Sequence, residues 1–296
     1  MKHLFLCACT FLFSALSFSQ SSGGENVSNS TQTGTNNATV NQTALGTYVN
    51  FSDLLQTGTN LATVNQYGAN SSLITQTGSN WSTVNQNGGD GHWTGFDITQ
   101  TSDIVQNGVL NRAFIEQLGD GQSSIVSQDN DIGDTKGSKA DIKQYGLNNT
   151  SDVVQIDDAN YALVVQDGDH NVSDTDQQTY DVAVPVHASL FLQGNLVNQT
   201  GSYNFSKVEQ YGDNQRSDVT QEALGGGVAA DPYTNEANVL QNGEMNWSII
   251  NQSDTVGVDA NNSASVTETN LVGGPGNLST VNQFGANSIN VNQTNF

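Results

Sequence analysis

Between residues 60 and 86 the chain repeats one phrase three times: Asn60-Leu61-Ala62-Thr63-Val64-Asn65-Gln66, then Asn70 to Gln76, then Asn80 to Gln86, joined by Tyr67-Gly68-Ala69 and Thr77-Gly78-Ser79. The unit is Asn-x-(Ala/Ser)-x-(Val/Ile)-x-Gln plus a short turn with glycine at its second position. It recurs along the chain, with successive terminal glutamines mostly 10 or 11 residues apart. Small or branched apolar residues alternate with polar ones at period two, the pattern of a strand with two unlike faces. Asn60, Ala62, Val64 and Gln66 share one face, and Leu61, Thr63 and Asn65 share the other. The first face repeats more strictly, so it is expected to be the interior. Ten residues leave no room for a crossover helix, so consecutive strands must be joined by tight arcs. Glycine suits such arcs because it adopts positive φ without steric penalty.

Two strand-turn units make a rung of 20 to 22 residues, and stacked rungs bury the repeated face against its own copies. The expected fold is therefore all-β: a parallel β-solenoid with two strands per rung and loops at the turns. About ten rungs at about 4.8 Å each give a stack about 50 Å long. Richness in Asn, Gln, Gly, Ser and Thr would by itself suggest a disordered or prion-like chain, but the strict period argues for order. The period breaks at 43–49, 87–99, 129–137, 178–192, 222–234, 253–261 and 269–276, read as loops leaving the stack. Two of these carry extra strand-like runs, Thr94 to Gln100 and His187 to Gln193. The set Gln106, Gln117, Gln128 recurs 93 residues later as Gln199, Gln210, Gln221, which reads as a duplication.

An interior lined with amides needs a physical reason, since burying an unpaired amide costs about 1–3 kcal/mol. In a parallel in-register stack, each amide can donate to its copy one rung away and accept from the other side. The residues expected in this ladder are Gln32; Asn60, Ala62, Val64 and Gln66; Asn70, Ile74 and Gln76; Asn80, Val84 and Gln86; and Asn111, Ile115 and Gln117. It continues through Asn149, Val153 and Gln155; Asn204, Val208 and Gln210; Asn246, Ile250 and Gln252; Val281 and Gln283; and Gln293. Glu268 takes the glutamine place once. No helix, proline block or charged cap is expected over either end of the stack, and open strand edges template pairing with another copy. A head-to-tail contact that does not close into a ring propagates as a filament.

Residues 1–20 read as a signal peptide: Lys2 and His3, the apolar stretch Leu4 to Leu16, then Ser17-Phe18-Ser19-Gln20. The stretch is too short to span a bilayer, for which about 20 residues are needed, and no later segment comes close. Residues 21–296 then form one repeat domain, exported to the cell exterior. Both cysteines, Cys7 and Cys9, fall in the leader, so the exported chain is expected to lack thiols. Six basic residues against 29 acidic ones leave it a net charge of −23. Nucleic acid is excluded as a partner, because binding it needs clustered cations.

No constellation of chemistry emerges. His92, His170 and His187 lie far apart, without the spacing of a triad or a zinc site. The aspartates at Asp129-Asn130-Asp131, Asp157-Asp158 and Asp167-Gly168-Asp169 could coordinate Ca²⁺ through oxygen ligands, but they match neither the EF-hand nor the β-roll calcium motif, which favours solvated turns and leaves calcium binding by the acidic loops open. No catalytic residue, metal or cofactor is expected. Bulky residues often follow the motif asparagine (Phe51, Leu61, Trp81, Tyr161, Phe205, Trp247, with Phe114 two places further on). They form either an exposed strip for bundling or adhesion or the ordinary aromatic content of strand faces.

The spacing Gln-x-Gly-x-x-Asn, as in Gln106-Asn107-Gly108-Val109-Leu110-Asn111 and Gln199-Thr200-Gly201-Ser202-Tyr203-Asn204, with the next glutamine six residues on, resembles the curlin repeat family of bacterial curli amyloid. The resemblance implies a self-assembling cell-surface fibre with roles in adhesion and biofilm matrix. It also implies partners: other copies of the chain, a nucleator subunit and an outer-membrane secretion machinery. The chain departs from the pattern in its many 10-residue spacings and in its acidic interruptions, which leaves open major subunit, nucleator or accessory adhesin. The alternative is a monomeric β-solenoid that presents a flat face to polysaccharide or ice; the irregular outward column (Thr39, Thr63, Thr83 and Thr280 against Asp152, Leu163, Lys207 and Asp218) disfavours ice.

Overall fold

The computed structural model describes residues 15–20, 25–44, 48–88, 100–130, 137–157, 159–179, 193–223, 235–253, 262–270 and 276–295. Among these residues there is no helix, and the twenty strands form two parallel ladders. The first ladder runs β2 (Glu25–Gly34), β4 (Val49–Gly58), the first half of β6 (Asn70–Gly88), the first half of β7 (Gln100–Asp120), β8 (Ser123–Asp129), β10 (Thr150–Ile156), β12 (Val172–Gln178), β14 (Asn204–Asp213), β16 (Asn235–Glu244), β18 (Asn262–Asn270) and β20 (Ser288–Asn295). The second runs β1 (Ala15–Gln20), β3 (Asn37–Thr43), β5 (Leu61–Tyr67), the second halves of β6 and β7, β9 (Lys139–Leu147), β11 (Asn160–Asp169), β13 (Gln193–Thr200), β15 (Gln215–Glu222), β17 (Trp247–Ser253) and β19 (Leu278–Phe284). Each rung is one strand of each ladder, which is the two-strand solenoid that the period demands.

Register follows the motif. Ala38, Ala62, Ser82, Ala113, Ala140 and Ala162 pair in succession, and so do Val40, Val64, Val84, Ile115, Ile142 and Val164. All twelve are buried, so the two facing ladders enclose one continuous apolar column of small and branched residues. A slip of one residue would turn every such side chain to water, which is why the register is so uniform. β13 departs from the motif by carrying Asn195 in the small-residue place, and β12 departs by carrying Thr175 in the valine place. The Asn195 amide donates to the Thr175 hydroxyl at 2.7 Å across the interior, so each irregular residue partners the other.

The turns explain their glycines. At Gly68, φ is +97°, and a Cβ there would lie 2.8 Å from the carbonyl oxygen of Gly88 one rung on. Glycine is needed twice over, for the left-handed backbone and for the close stacking of turn on turn. Eight non-glycine residues among the described ones also take positive φ in turns, and Leu110, Asn148, His170, Tyr203 and Met245 each do so two residues after a positive-φ glycine.

The expected loops fall largely outside the described residues. So do most of the two extra strand-like runs, although their last residues do join strands: Gln100 opens β7, and Gln193 opens β13 in register with Asn160 and Gln215. Of the expected leader, residues 1–14 lie outside the described residues, while Ala15–Gln20 pair with Asn37–Gln42 of β3 as one further strand of the second ladder.

Candidate functional site: amide ladders and strand edges

The glutamines do more than face one another. In the second ladder Gln42 Nε2 donates to Gln66 Oε1 at 2.8 Å, Gln66 to Gln86 at 2.9 Å, Gln86 to Gln117 at 2.9 Å, and so on to Gln283. The first ladder runs likewise from Gln32 through Gln56, Gln76, Gln106, Gln128, Gln155, Gln177 and Gln210 to Gln241. Every bond donates toward the C-terminal end of the stack, so the ladder has a direction. The second amide hydrogen goes across the interior to a main-chain carbonyl of the facing ladder: Gln66 to Phe51 at 2.9 Å, Gln106 to Trp81 at 3.0 Å, Gln210 to Gly194 at 3.3 Å. Both hydrogens and the oxygen are thus used, and an interior amide carries no desolvation penalty of consequence.

The asparagines behave differently. Their Nδ2 groups cap turn carbonyls, as Asn60 does Thr57 at 2.9 Å, Asn80 does Thr77 at 2.8 Å and Asn111 does Asn107 at 2.7 Å. Their Oδ1 atoms accept from the main-chain N–H of the asparagine one rung on: Asn80 from Asn111, Asn149 from Asn171, Asn171 from Asn204. Where side chain meets side chain, donation runs toward the N-terminal end, from Asn70 to Asn50 and from Asn277 to Asn246. Where glutamine replaces asparagine at this corner, in Gln100, Gln122 and Gln215, the Nε2 still reaches turn carbonyls, but the Oε1 has no partner among the described residues. Asn70, Asn160 and Asn262 likewise have an Oδ1 without a partner among the described residues, so the corner accepts either side chain.

Of the expected ladder residues, those from Asn60 through Gln283 are buried, whereas Gln32 and Gln293 are half-buried on the outermost strands of the first ladder. Gln32 Oε1 has no donor among the described residues. Glu268 is the one charged residue among the buried ones. It accepts from Gln241 Nε2 at 2.8 Å through one oxygen, and its Oε1 has no partner among the described residues. Burial pushes its carboxyl above the usual range, against the opposing pull of the nearby Ser279 hydroxyl and the Gln241 amide.

The two outer faces differ. The first ladder carries acids at its centre: Asp152 pairs with Asp174, Asp174 with Lys207, and Asp176 with Glu209. Burial, then the neighbouring carboxylates Asp174 and Asp176, raise Asp152, and burial raises Asp103 and is the largest influence on Asp176. The Lys207–Glu209 ion pair at 2.8 Å holds the lysine above its usual value. The second ladder stacks Leu61, Trp81, Arg112, Lys139, Tyr161, Gly194, Arg216, Trp247 and Leu278 in one column. Lys139 Nζ lies 5.0 Å from the Tyr161 ring centroid, and the Arg216 guanidinium 5.0 Å from that of Trp247. Gly194 opens a notch in this column, part of a shallow cleft of about 610 Å³ floored by Leu163 and Leu196. The bulky residues do not form one strip: Phe51 and Phe205 belong to the first ladder, Phe114 to a neighbouring column. Single-sequence periodicity assigns inward and outward but cannot say which ladder a strand joins without counting rungs. Among the described residues no group of three metal-ligating side chains converges, and no helix is long and apolar enough to cross a membrane; Asp131, Asp158, His92 and His187 lie outside the described residues.

None of the curated proteins compared matches the chain. The curlin associated repeat matches it twice, at residues 102–129 and 196–222. The first match covers most of β7 and all of β8, and the second most of β13, all of β14 and β15, so the two fall on the two halves of the 93-residue duplication. These two stretches, built as consecutive strands of the stacked amide ladders, are thus similar to the curlin associated repeat.

Proposed function

We infer that the protein is a structural subunit of an extracellular curli-like fibre, exported after loss of residues 1–20 and growing by end-to-end stacking. One observation carries this reading: every strand between the ends of the two ladders is hydrogen-bonded on both edges, while among the described residues nothing pairs with the outer edges of the end strands, which are in the same motif register. A free edge with a row of unpaired main-chain groups recruits another strand, and an incoming copy would extend the glutamine ladder by the bond already repeated along it. Adhesion and a place in biofilm matrix follow from the family, as do a nucleator subunit and an outer-membrane secretion machinery as partners. A structural role accords with it, and no catalytic part is assigned to any residue.

The cation–aromatic column of the second ladder favours a second reading, a monomeric module that binds a polysaccharide surface. The two are separated by following the purified exported protein with thioflavin fluorescence, electron microscopy and fibre diffraction. Fibres with a meridional spacing of about 4.8 Å support the fibre subunit, and a persistently monomeric species supports the module. The ladder itself is tested by replacing Gln66, Gln117 and Gln210 together with glutamate. Assembly near neutral pH should be abolished, because each change buries a carboxylate and removes two donors; unchanged kinetics would refute a role for the interior amides.

A further inference from the structure

Counting the strands in each ladder exposes a mismatch that bears on how copies stack. The first ladder contains eleven strands, β2 to β20, each paired directly with the next, so no hidden strand intervenes. The second contains ten from β3 to β19, and an eleventh only when Ala15–Gln20 are present as β1. Once residues 1–20 are removed, the described residues make ten and a half rungs, with β20 half a rung beyond β19.

Stacking an identical copy without rotation would seat its β2 on β20. Its β3 would then lie two rungs from β19 instead of one. That leaves a strand-wide slot in the second ladder, with main-chain groups on both sides unpaired and Val281 and Val40 facing a gap. A half turn about the stack axis removes the slot. The rotation carries the first ladder onto the position and strand direction of the second, because the two run oppositely within each rung. The incoming β2 then seats on β19 and the incoming β3 on β20. The motif makes this exchange possible: both ladders present the same Asn, small, branched and Gln column, so Gln283 can donate to Gln32 and Gln293 to Gln42 of the next copy. The unpartnered Oε1 of Gln32 is the acceptor such a donor needs.

We propose that successive subunits of the fibre are related by half a turn about its axis, each copy's first ladder continuing as its neighbour's second. This rests on the fibre reading above and on loss of residues 1–20. One consequence is that each side of the fibre alternates the acidic face of one subunit with the cation–aromatic face of the next, about every 50 Å.

The test uses paired cysteines at the outward centre of the end strands. Both native cysteines lie in residues 1–20, so the exported protein carries only the engineered thiols, and mass spectrometry verifies its first residue. Thr39→Cys with Asn290→Cys should cross-link subunits in assembled fibres with a short bis-maleimide, giving a ladder of covalent oligomers on a denaturing gel. Asn29→Cys with Asn290→Cys should not, because those positions fall on opposite faces of the fibre. The reverse pattern, fibres in which neither pair cross-links, or residues 15–20 retained in the fibre would each overturn the half turn while leaving the fibre reading intact. Absence of fibres in the unsubstituted protein would remove that reading and the half turn with it.

Discussion

Glu268 shows how much one atom type matters in a repeated interior. Between the ends of the two chains of bonds described above, every glutamine in this place both accepts an amide hydrogen and donates one onward. Glu268 accepts from Gln241 and, when ionised, has nothing to offer Gln293, its register partner on β20. In its neutral form the carboxyl supplies one O–H and so stands in for the missing amide. Its folded pKa is raised above the ordinary 4.5 by burial, so the fold favours the neutral form. The contribution is whole below about pH 4.5 and falls as pH rises from there toward the raised value. Asp103, Asp152 and Asp176 are also raised by burial and add a dependence of the same sign, so comparison with a Glu268 variant isolates the part that belongs to Glu268. Glu268→Gln should stabilise the protein by about 1–3 kcal/mol near neutral pH, the scale of an unsatisfied buried polar group, and by little near pH 4. Denaturant unfolding at the two pH values, or hydrogen exchange of β20, measures the difference. Equal effects at both pH values would show that the carboxyl does not titrate in this window.

At the scale of the element, the turns rather than the strands hold the stack to its period. Strands tolerate exchange of alanine for serine and of valine for isoleucine, because the column asks only for small and branched volumes. The turn at Gly68 tolerates nothing: a Cβ there meets both an unfavourable φ and the next turn's carbonyl oxygen. Gly194 is the contrast, since a Cβ at that place in β13 meets nothing within 4 Å, and its φ lies outside the left-handed range. Gly68→Ala should lower the unfolding midpoint, by about 1–3 kcal/mol from backbone strain alone. Gly194→Ala should be neutral or slightly stabilising, because glycine within a strand weakens it. Thermal unfolding of the two variants side by side decides this, and equal losses would refute the distinction between turn and strand glycine.

For the whole molecule, charge and stacking oppose each other. A net charge of −23 on the exported chain makes copies repel, yet the ends to be joined are lined with neutral amides. Repulsion then governs the approach more than the seated interface, and it is screened within about 10 Å at 0.1 M salt. Assembly should therefore quicken several-fold between about 10 mM and 200 mM sodium chloride, while the unfolding midpoint of the assembled fibre changes little. Thioflavin lag times across a salt series check the first, and denaturation of washed fibres the second. A lag independent of salt would mean that encounter does not limit growth.

The sequence alone determined the two-strand rung, the parallel stack and the inward face, because a period of two inside a period of ten or eleven admits few other ways to bury the same side chains. Ala62, Val64 and Gln66 declare their common face without reference to any other part of the chain. What the alternation leaves unsaid is anything that depends on counting rungs or on the direction of a hydrogen bond. Only the tertiary structure separated Phe51 from Trp81 onto different faces, joined Asn195 to Thr175, made the glutamine ladder point one way, and left Gln32 without a donor. It also found eleven strands in one ladder and ten in the other beyond residue 20. The physical reason is one of range: alternation is a property of neighbours in the chain, whereas partners in a solenoid lie 20 to 33 residues apart, at distances set by the loops between them.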